Sequence, residues 1–253
     1  MARFAFISDI HSNLPAFEAV LTEIERIGVD TIICLGDVVG YGPHPVECLE
    51  LVRKRCDFCV QGNHDLAVID ELEAGRFNLA ARMGIEYTRD VIREEHARQI
   101  AEMPFIGDLD EVTVCHASPD PNAPTDYIHD QTVAAGAFGG FDSPCLIVGH
   151  THVPAAFATR DMGYATVEPK DVSLAFLPPA SALKLNPEFR YILNPGSVGQ
   201  PRDGNPDASF AILEPDSRTF SVHRVPYNIA ATQQAMREVG LPDMLAQRLR
   251  LGA

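Results

Sequence analysis

Residues of metal-binding type recur where short apolar runs end: Asp9 and His11 in "SDIHSN", Asp37 in "LGDVVG", Asn63 in "QGNHD", His116 in "VCHAS", and His150 with His152 in "IVGHTH". The last pair states the chemistry most directly. Along a strand, side chains alternate faces, so His150 and His152 are expected to point the same way. Two neighbouring imidazoles repel when both are protonated, and a cation between them removes the repulsion and uses their lone pairs. Carboxylate, amide and imidazole donors together suit borderline divalent ions such as Mn, Fe, Zn, Ni or Co, and the lack of thiolate argues against a structural zinc. The set is too large for one tetrahedral ion and about right for two ions that share a carboxylate. Such pairs clamp a phosphoryl group, with a bridging hydroxide as the nucleophile.

The elements that must position these residues can be read from the pattern. "RFAFISD" (3–9), "TIICLGD" (31–37) and "FCVQGNH" (58–64) are strand-sized apolar runs. Between the first two, Leu14, Phe17, Val20, Leu21 and Ile24 keep helical spacing, with Asn13 placed as the cap, Pro15 in the first turn and Gly28 as the stop. Residues 43–55 read as the next helix. Alternating strands and helices imply parallel strands with right-handed crossovers, whose ligand sites lie beyond the carboxyl ends of the strands. Residues 66–103 are mostly helical in pattern. From 111 the chain turns to strands, and 161–190 has no firm period. A closing helical stretch, from Asn228 to Leu251, is broken near Gly240 and Pro242. No repeat, low-complexity tract or linker suggests a cut, so residues 1–253 are expected to form one α/β domain.

The ordered blocks D-x-H, G-D, G-N-H, H and G-H-x-H, covering residues 9 to 152, resemble those of the calcineurin-like metallophosphoesterases. The resemblance implies a four-layer αββα sandwich, two mixed β-sheets flanked by helices. It implies that Asp9, His11 and His152 hold one metal ion, that Asn63, His116 and His150 hold a second, and that Asp37 bridges them. His64 is then the catalytic histidine over the leaving group, as general acid or as a donor to developing charge. Asp65 is a candidate to orient it. The segment "NPGSVGQPRDG" (194–204) is similar to a loop of the bacterial and archaeal phosphodiesterase-like branch, and Arg202 is its candidate phosphate contact. One departure stands out: "GDVVGYG" replaces the G-D-x-V-D-R-G of protein serine/threonine phosphatases, which argues against phosphoprotein substrates.

Composition narrows the partners. Of 253 residues, 46% are hydrophobic and 22% charged, as in ordinary globular chains, and the formal net charge is -15. So acidic a surface disfavours nucleic acid and anionic membranes, and no apolar run is long enough to span a bilayer. Cys34, Cys115 and Cys145 sit inside apolar runs, where reduced thiols are the common case, so a cytoplasmic protein is expected. The expected activity is metal-dependent hydrolysis of a small phosphodiester or nucleotide. The alternatives are a phosphomonoesterase or dinucleoside polyphosphate hydrolase and, in another class, a non-catalytic metal-binding scaffold.

Overall fold

The apolar runs at the start of the chain are buried on both faces, which is why they read as nearly continuous rather than alternating. In the computed structural model, which describes residues 2–109, 112–160 and 166–253, β1 (Phe4–Ile7) turns Ala5 and Ile7 to a layer of helices and Phe6 to a second sheet. β2 (Thr31–Cys34) divides Ile32 and Cys34 from Ile33 in the same way. Between them α1 (Leu14–Ile27) starts where Asn13 caps the N–H of Ala16 at 3.4 Å and ends at Gly28, φ 77°. It buries Phe17, Val20, Leu21 and Ile24 against the sheet, each worth about 1.5–3 kcal/mol relative to exposure. α2 (Pro45–Arg55) and β3 (Phe58–Cys59) complete the opening units.

The helical middle comprises α3 (Asn63–Ile69), α4 (Glu71–Ala74), α5 (Leu79–Val91) and α6 (Glu94–Ala101). Next come β4 (Ile106–Leu109), β5 (Val112–Cys115), α7 (Gln131–Ala137), β6 (Cys145–Ile147) and β7 (Ala155–Arg160). The segment without a firm period supplies β8 (Val172–Phe176) and β9 (Ala182–Lys184), while its residues 161–165 lie outside the described residues. β10 (Phe189–Asn194), β11 (Ala208–Glu214), β12 (Thr219–Val225), α8 (Ile229–Glu238) and α9 (Asp243–Arg248) close the chain.

Two mixed six-stranded sheets result, in the orders β3-β2-β1-β11-β12-β9 and β4-β5-β6-β10-β7-β8. Strands β1, β2 and β3 run parallel, as do β5, β6 and β10. Phe6, Ile33, Val114, Ile147, Leu193 and Phe220 fill the space between the sheets. Helices α1 and α2 cover the first sheet and α7 covers the second, which gives the four layers of the expected αββα sandwich. α8 and α9 pack back on Tyr41 and on α5 through Met236, Leu245 and Leu249. No helix among the described residues is long and apolar enough to cross a membrane.

Candidate metal centre

The metal-type residues gather beyond the carboxyl ends of β1, β2, β3, β5 and β6, which is where a crossover α/β sheet leaves its crevice. They form overlapping clusters whose donor atoms lie within 4.8 Å of one another: Asp9, His11 and His152; His11, Asp37 and His64; Asp37, His116 and His150. His152 Nε2 lies 3.1 Å from Asp9 Oδ1 and 3.2 Å from His11 Nε2. His116 Nε2 lies 3.3 Å from Asp37 Oδ2, 3.0 Å from Asn63 Oδ1 and 3.1 Å from His150 Nδ1.

Main-chain carbonyls decide which ring nitrogen carries the proton. His11 Nδ1 donates to Val39 O (3.1 Å), His152 Nδ1 to Gln200 O (2.6 Å) and His116 Nδ1 to Leu35 O (2.7 Å). His150 is turned the other way, with Nε2 donating to Thr125 O at 3.1 Å. The lone pairs of His11 and His152 therefore face each other, and so do those of His116 and His150. Facing lone pairs at 3.1–3.2 Å repel unless a cation stands between or beside them. Asp9 Oδ1, buried and without a hydrogen bond, is aimed at the same space. The donor set thus fits divalent metal ions.

Electrostatics agree. Burial would raise the Asp9 carboxyl, but the facing His152 overcomes it and holds the group ionised. Asp37 is likewise held well below the usual carboxylate range against its burial, by His116, His64 and His11. Burial, reinforced by His116, pushes His150 down to about 3, and burial pushes His11 well below its ordinary value despite Asp37. His116 is the exception: with no cation beside it, Asp37 outweighs its burial and carries it up to about 10, so its Nε2 then holds a proton toward Asp37 that a bound metal ion would displace.

The backbone is sewn to hold this geometry. Asp9, His11, Asp37, His150 and His152 all adopt left-handed φ, between 48° and 63°. Each costs about 1–3 kcal/mol in a non-glycine residue and persists only where neighbours over-determine it. Here the N–H groups of Asp9, His11 and Ser12 donate to Gly36, Asp37 and Val38 at 2.9–3.0 Å, extending the β1–β2 ladder into the loops. His150 N–H donates to Asp9 Oδ2 at 3.0 Å. Gly62 is a close approach, since a Cβ there would lie 2.1 Å from Asp37 Oδ1.

His64 is buried, and its N–H donates to Asp37 Oδ1 at 2.8 Å. Its ring is walled by Tyr41 (centroids 4.4 Å), Phe77 (4.6 Å) and His11 (4.8 Å). Burial lowers it to about 4, with Asp37 opposing. Its Nδ1 has no partner, and Gly40, where the protein-phosphatase pattern carries its second acid, brings no side chain to it; a Cβ there would lie 2.4 Å away. Asp65 is committed elsewhere. Its oxygens accept from the N–H groups of Val39 (3.1 Å) and Gly62 (3.0 Å), so it fixes the start of α3 rather than the imidazole. Burial and the nearby Asp37 raise Asp65 to about 7.

Besides the orienting role expected of Asp65, two further sequence expectations change. His150 and His152 lie past the end of β6 in left-handed turns, so strand alternation is not what aligns them, and they serve different clusters. Asn63 and His64 open a helix instead of ending a strand. Arg202 does reach the site: its N–H donates to His152 O at 3.2 Å, its guanidinium donates to Gln200 Oε1 at 2.9 Å, and its Cζ lies 5.9 Å from the Tyr41 ring centroid. Sequence reasoning missed Tyr41, Phe77 and Tyr127, the last stacked on His150 with centroids 3.7 Å apart. Only Tyr41 carried a signal, from its place in "GDVVGYG".

Comparison with known proteins bears on this geometry. Residues 2–218 match the model of the calcineurin-like phosphoesterase superfamily domain. A metallophosphoesterase structure from Sphaerobacter thermophilus superposes with a TM-score of 0.86 at 41% identity, covering 100% of this chain and 99% of that one. Uncharacterized protein MJ0912 of Methanocaldococcus jannaschii is 34% identical over 252 residues, 98% of this chain and 97% of its own. Phosphodiesterase YfcE of Escherichia coli is 23% identical over 229 residues, 85% of this chain and 89% of its own.

Proposed function

The chain belongs to the calcineurin-like phosphoesterase superfamily, a family of phosphoric ester hydrolases, and from that premise we propose a two-metal hydrolase of small phosphodiesters or nucleotides. The observation that carries the reading is the two sets of facing imidazole nitrogens, His11–His152 at 3.2 Å and His116–His150 at 3.1 Å, on either side of the buried Asp37 carboxylate. In this reading Asp9, His11 and His152 hold one ion, Asn63, His116 and His150 the other, and Asp37 serves both. When bound, such ions supply Lewis-acid polarisation of the phosphoryl oxygens and an acidified attacking water.

The chain's own groups do the rest. The carbonyls of Leu35, Val39, Gln200 and Thr125 hold each ring in the tautomer that turns its lone pair inward. The His64 imidazole, kept neutral by its burial and fixed between Tyr41 and Phe77, offers an N–H hydrogen bond to the charge that develops on the leaving oxygen. Arg202 adds a fixed cation at the edge of the metal centre for a substrate phosphate. The full donor set and His64 together favour an enzyme over a metal-binding scaffold. Free thiols at Cys34, Cys48, Cys56, Cys59 and Cys115 support a reducing, cytoplasmic setting, and the packing of α8 and α9 onto α5 supports reading residues 1–253 as one domain.

The test compares bis-p-nitrophenyl phosphate with p-nitrophenyl phosphate, using metal-stripped protein with Mn²⁺ added back. Diester turnover that depends on metal is expected. His64→Ala should lose about 10²–10⁴-fold in kcat while still binding two equivalents of metal. Turnover without metal, or of the monoester alone, overturns the reading.

A further inference from the structure

Arg248 lies in α9, beyond residue 218 where the family match ends, yet it reaches the rim of the metal centre. Its Cζ is 6.0 Å from the centroid of the Tyr41 ring, and Arg202 Cζ is 5.9 Å from the same centroid. That ring lies 4.7 Å from His11 and 4.4 Å from His64, so Tyr41 joins the two guanidiniums to the catalytic pocket.

Two permanent cations on one aromatic support repel each other. In a chain with 35 acidic and 20 basic residues, an arginine ordinarily finds a carboxylate. Arg3, Arg26, Arg55, Arg93, Arg160, Arg224 and others do so. Among the described residues, neither Arg202 nor Arg248 pairs with a side-chain carboxylate. Arg202 donates to the Gln200 amide and lies within bonding reach of the Tyr127 hydroxyl, and its Nε is buried with no partner. Arg248 gives its Nε to an oxygen of the terminal carboxylate of Ala253, while its two NH2 groups have no hydrogen-bond partner among the described residues. Burial, and then the neighbouring Arg202, push the Arg248 guanidinium below its ordinary value, so the two guanidiniums feel each other's charge.

An anion placed against both guanidiniums relieves this repulsion and satisfies their idle N–H groups. We propose that Arg248 and Arg202 form a second anion subsite, which takes a non-scissile phosphate next to the one held at the metal centre. The substrate class is therefore a nucleotide-like ester with two or more linked phosphates. This inference rests on the hydrolase reading above and narrows it. α9 is then a specificity element appended to the matched domain, held in place by Leu245 and Leu249 against Tyr41.

The test measures how tightly two ligands with one nucleoside bind: AMP, with one phosphate, and the non-hydrolysable α,β-methylene analogue of ADP, with two. Each is titrated calorimetrically into Mn²⁺-loaded protein and used as a competitor of bis-p-nitrophenyl phosphate hydrolysis. Wild-type protein should hold the two-phosphate ligand at least tenfold more tightly than AMP. Arg248→Gln should reduce that preference about tenfold, and Arg248→Lys, which keeps a point charge, should recover part of it. An unchanged preference, or an equal loss on both ligands as a purely structural role would give, overturns the proposal. Absent diester turnover in the wild type would instead sink the hydrolase reading, and the calorimetric preference would still decide the arginine pair.

Discussion

Four histidines at the centre each give a ring proton to a main-chain carbonyl, so the polypeptide itself, not a carboxylate, sets their orientation. His64 differs. It has no such bond at Nδ1, and aromatic walls hold it instead. Phe77→Ala removes one of those walls without touching a donor atom, so kcat on a diester should fall about tenfold while bound metal stays at its wild-type level; loss of metal together with rate would show that Phe77 supports the whole centre. The donor types and their order were legible in the sequence because each block pairs an acid, amide or imidazole with a glycine or an apolar strand end. The left-handed turns at His150 and His152 were not legible. They are held by bonds of their main-chain groups with residues remote in the chain, His150 N–H to Asp9 Oδ2 and Arg202 N–H to His152 O. Tyr127 was hidden too, because its loop has no period to read.

At the scale of elements, the loop after β10 locks against the loop after β1. The N–H of Gly199 donates to Asp9 O at 2.9 Å, as does Ser197 Oγ at 2.8 Å. A Cβ on Gly199 would lie 1.8 Å from Ile10 O and 2.6 Å from its carbonyl carbon. Gly199→Ala should therefore cost at least about 1–3 kcal/mol, lower the thermal midpoint by several degrees and reduce bound metal, read by calorimetry and metal analysis. On β12, His223 stacks on its register partner Phe210, and burial holds its imidazole below the ordinary value. The unfolded chain takes up a proton near pH 6.5 that the folded chain refuses. Stability should then fall as pH drops below that point, and His223→Phe should lessen the fall between pH 7.5 and 5.5 in thermal melts. Local elements such as α1, with its Asn13 cap and Gly28 stop, were readable from spacing alone. The strand orders were not, since β1 pairs with β11 through apolar runs that would fit several neighbours.

For the whole molecule, the proposed ions bind the folded state and not the unfolded one, so they add stability by mass action. Free metal at 100 times its dissociation constant contributes about 2.7 kcal/mol, and a chelator should lower the melting midpoint by an amount that grows with the metal concentration it removes. A midpoint indifferent to chelation would mean that the centre is empty in the protein as purified. The central place of β1 in the first sheet, between β2 and β11, has a consequence for biosynthesis. Phe4 pairs with Leu213, and Asp9 is not closed in until Ser197 and Gly199 arrive. At ~5–20 residues per second of translation, the ribosome holds an amino-terminal strand with one bare edge for on the order of ten to forty seconds. The earliest of the proposed ligands to be made is thus the one that waits longest for its pocket, and a nascent chain that still lacks Leu213 presents an apolar strand edge for a chaperone to cover.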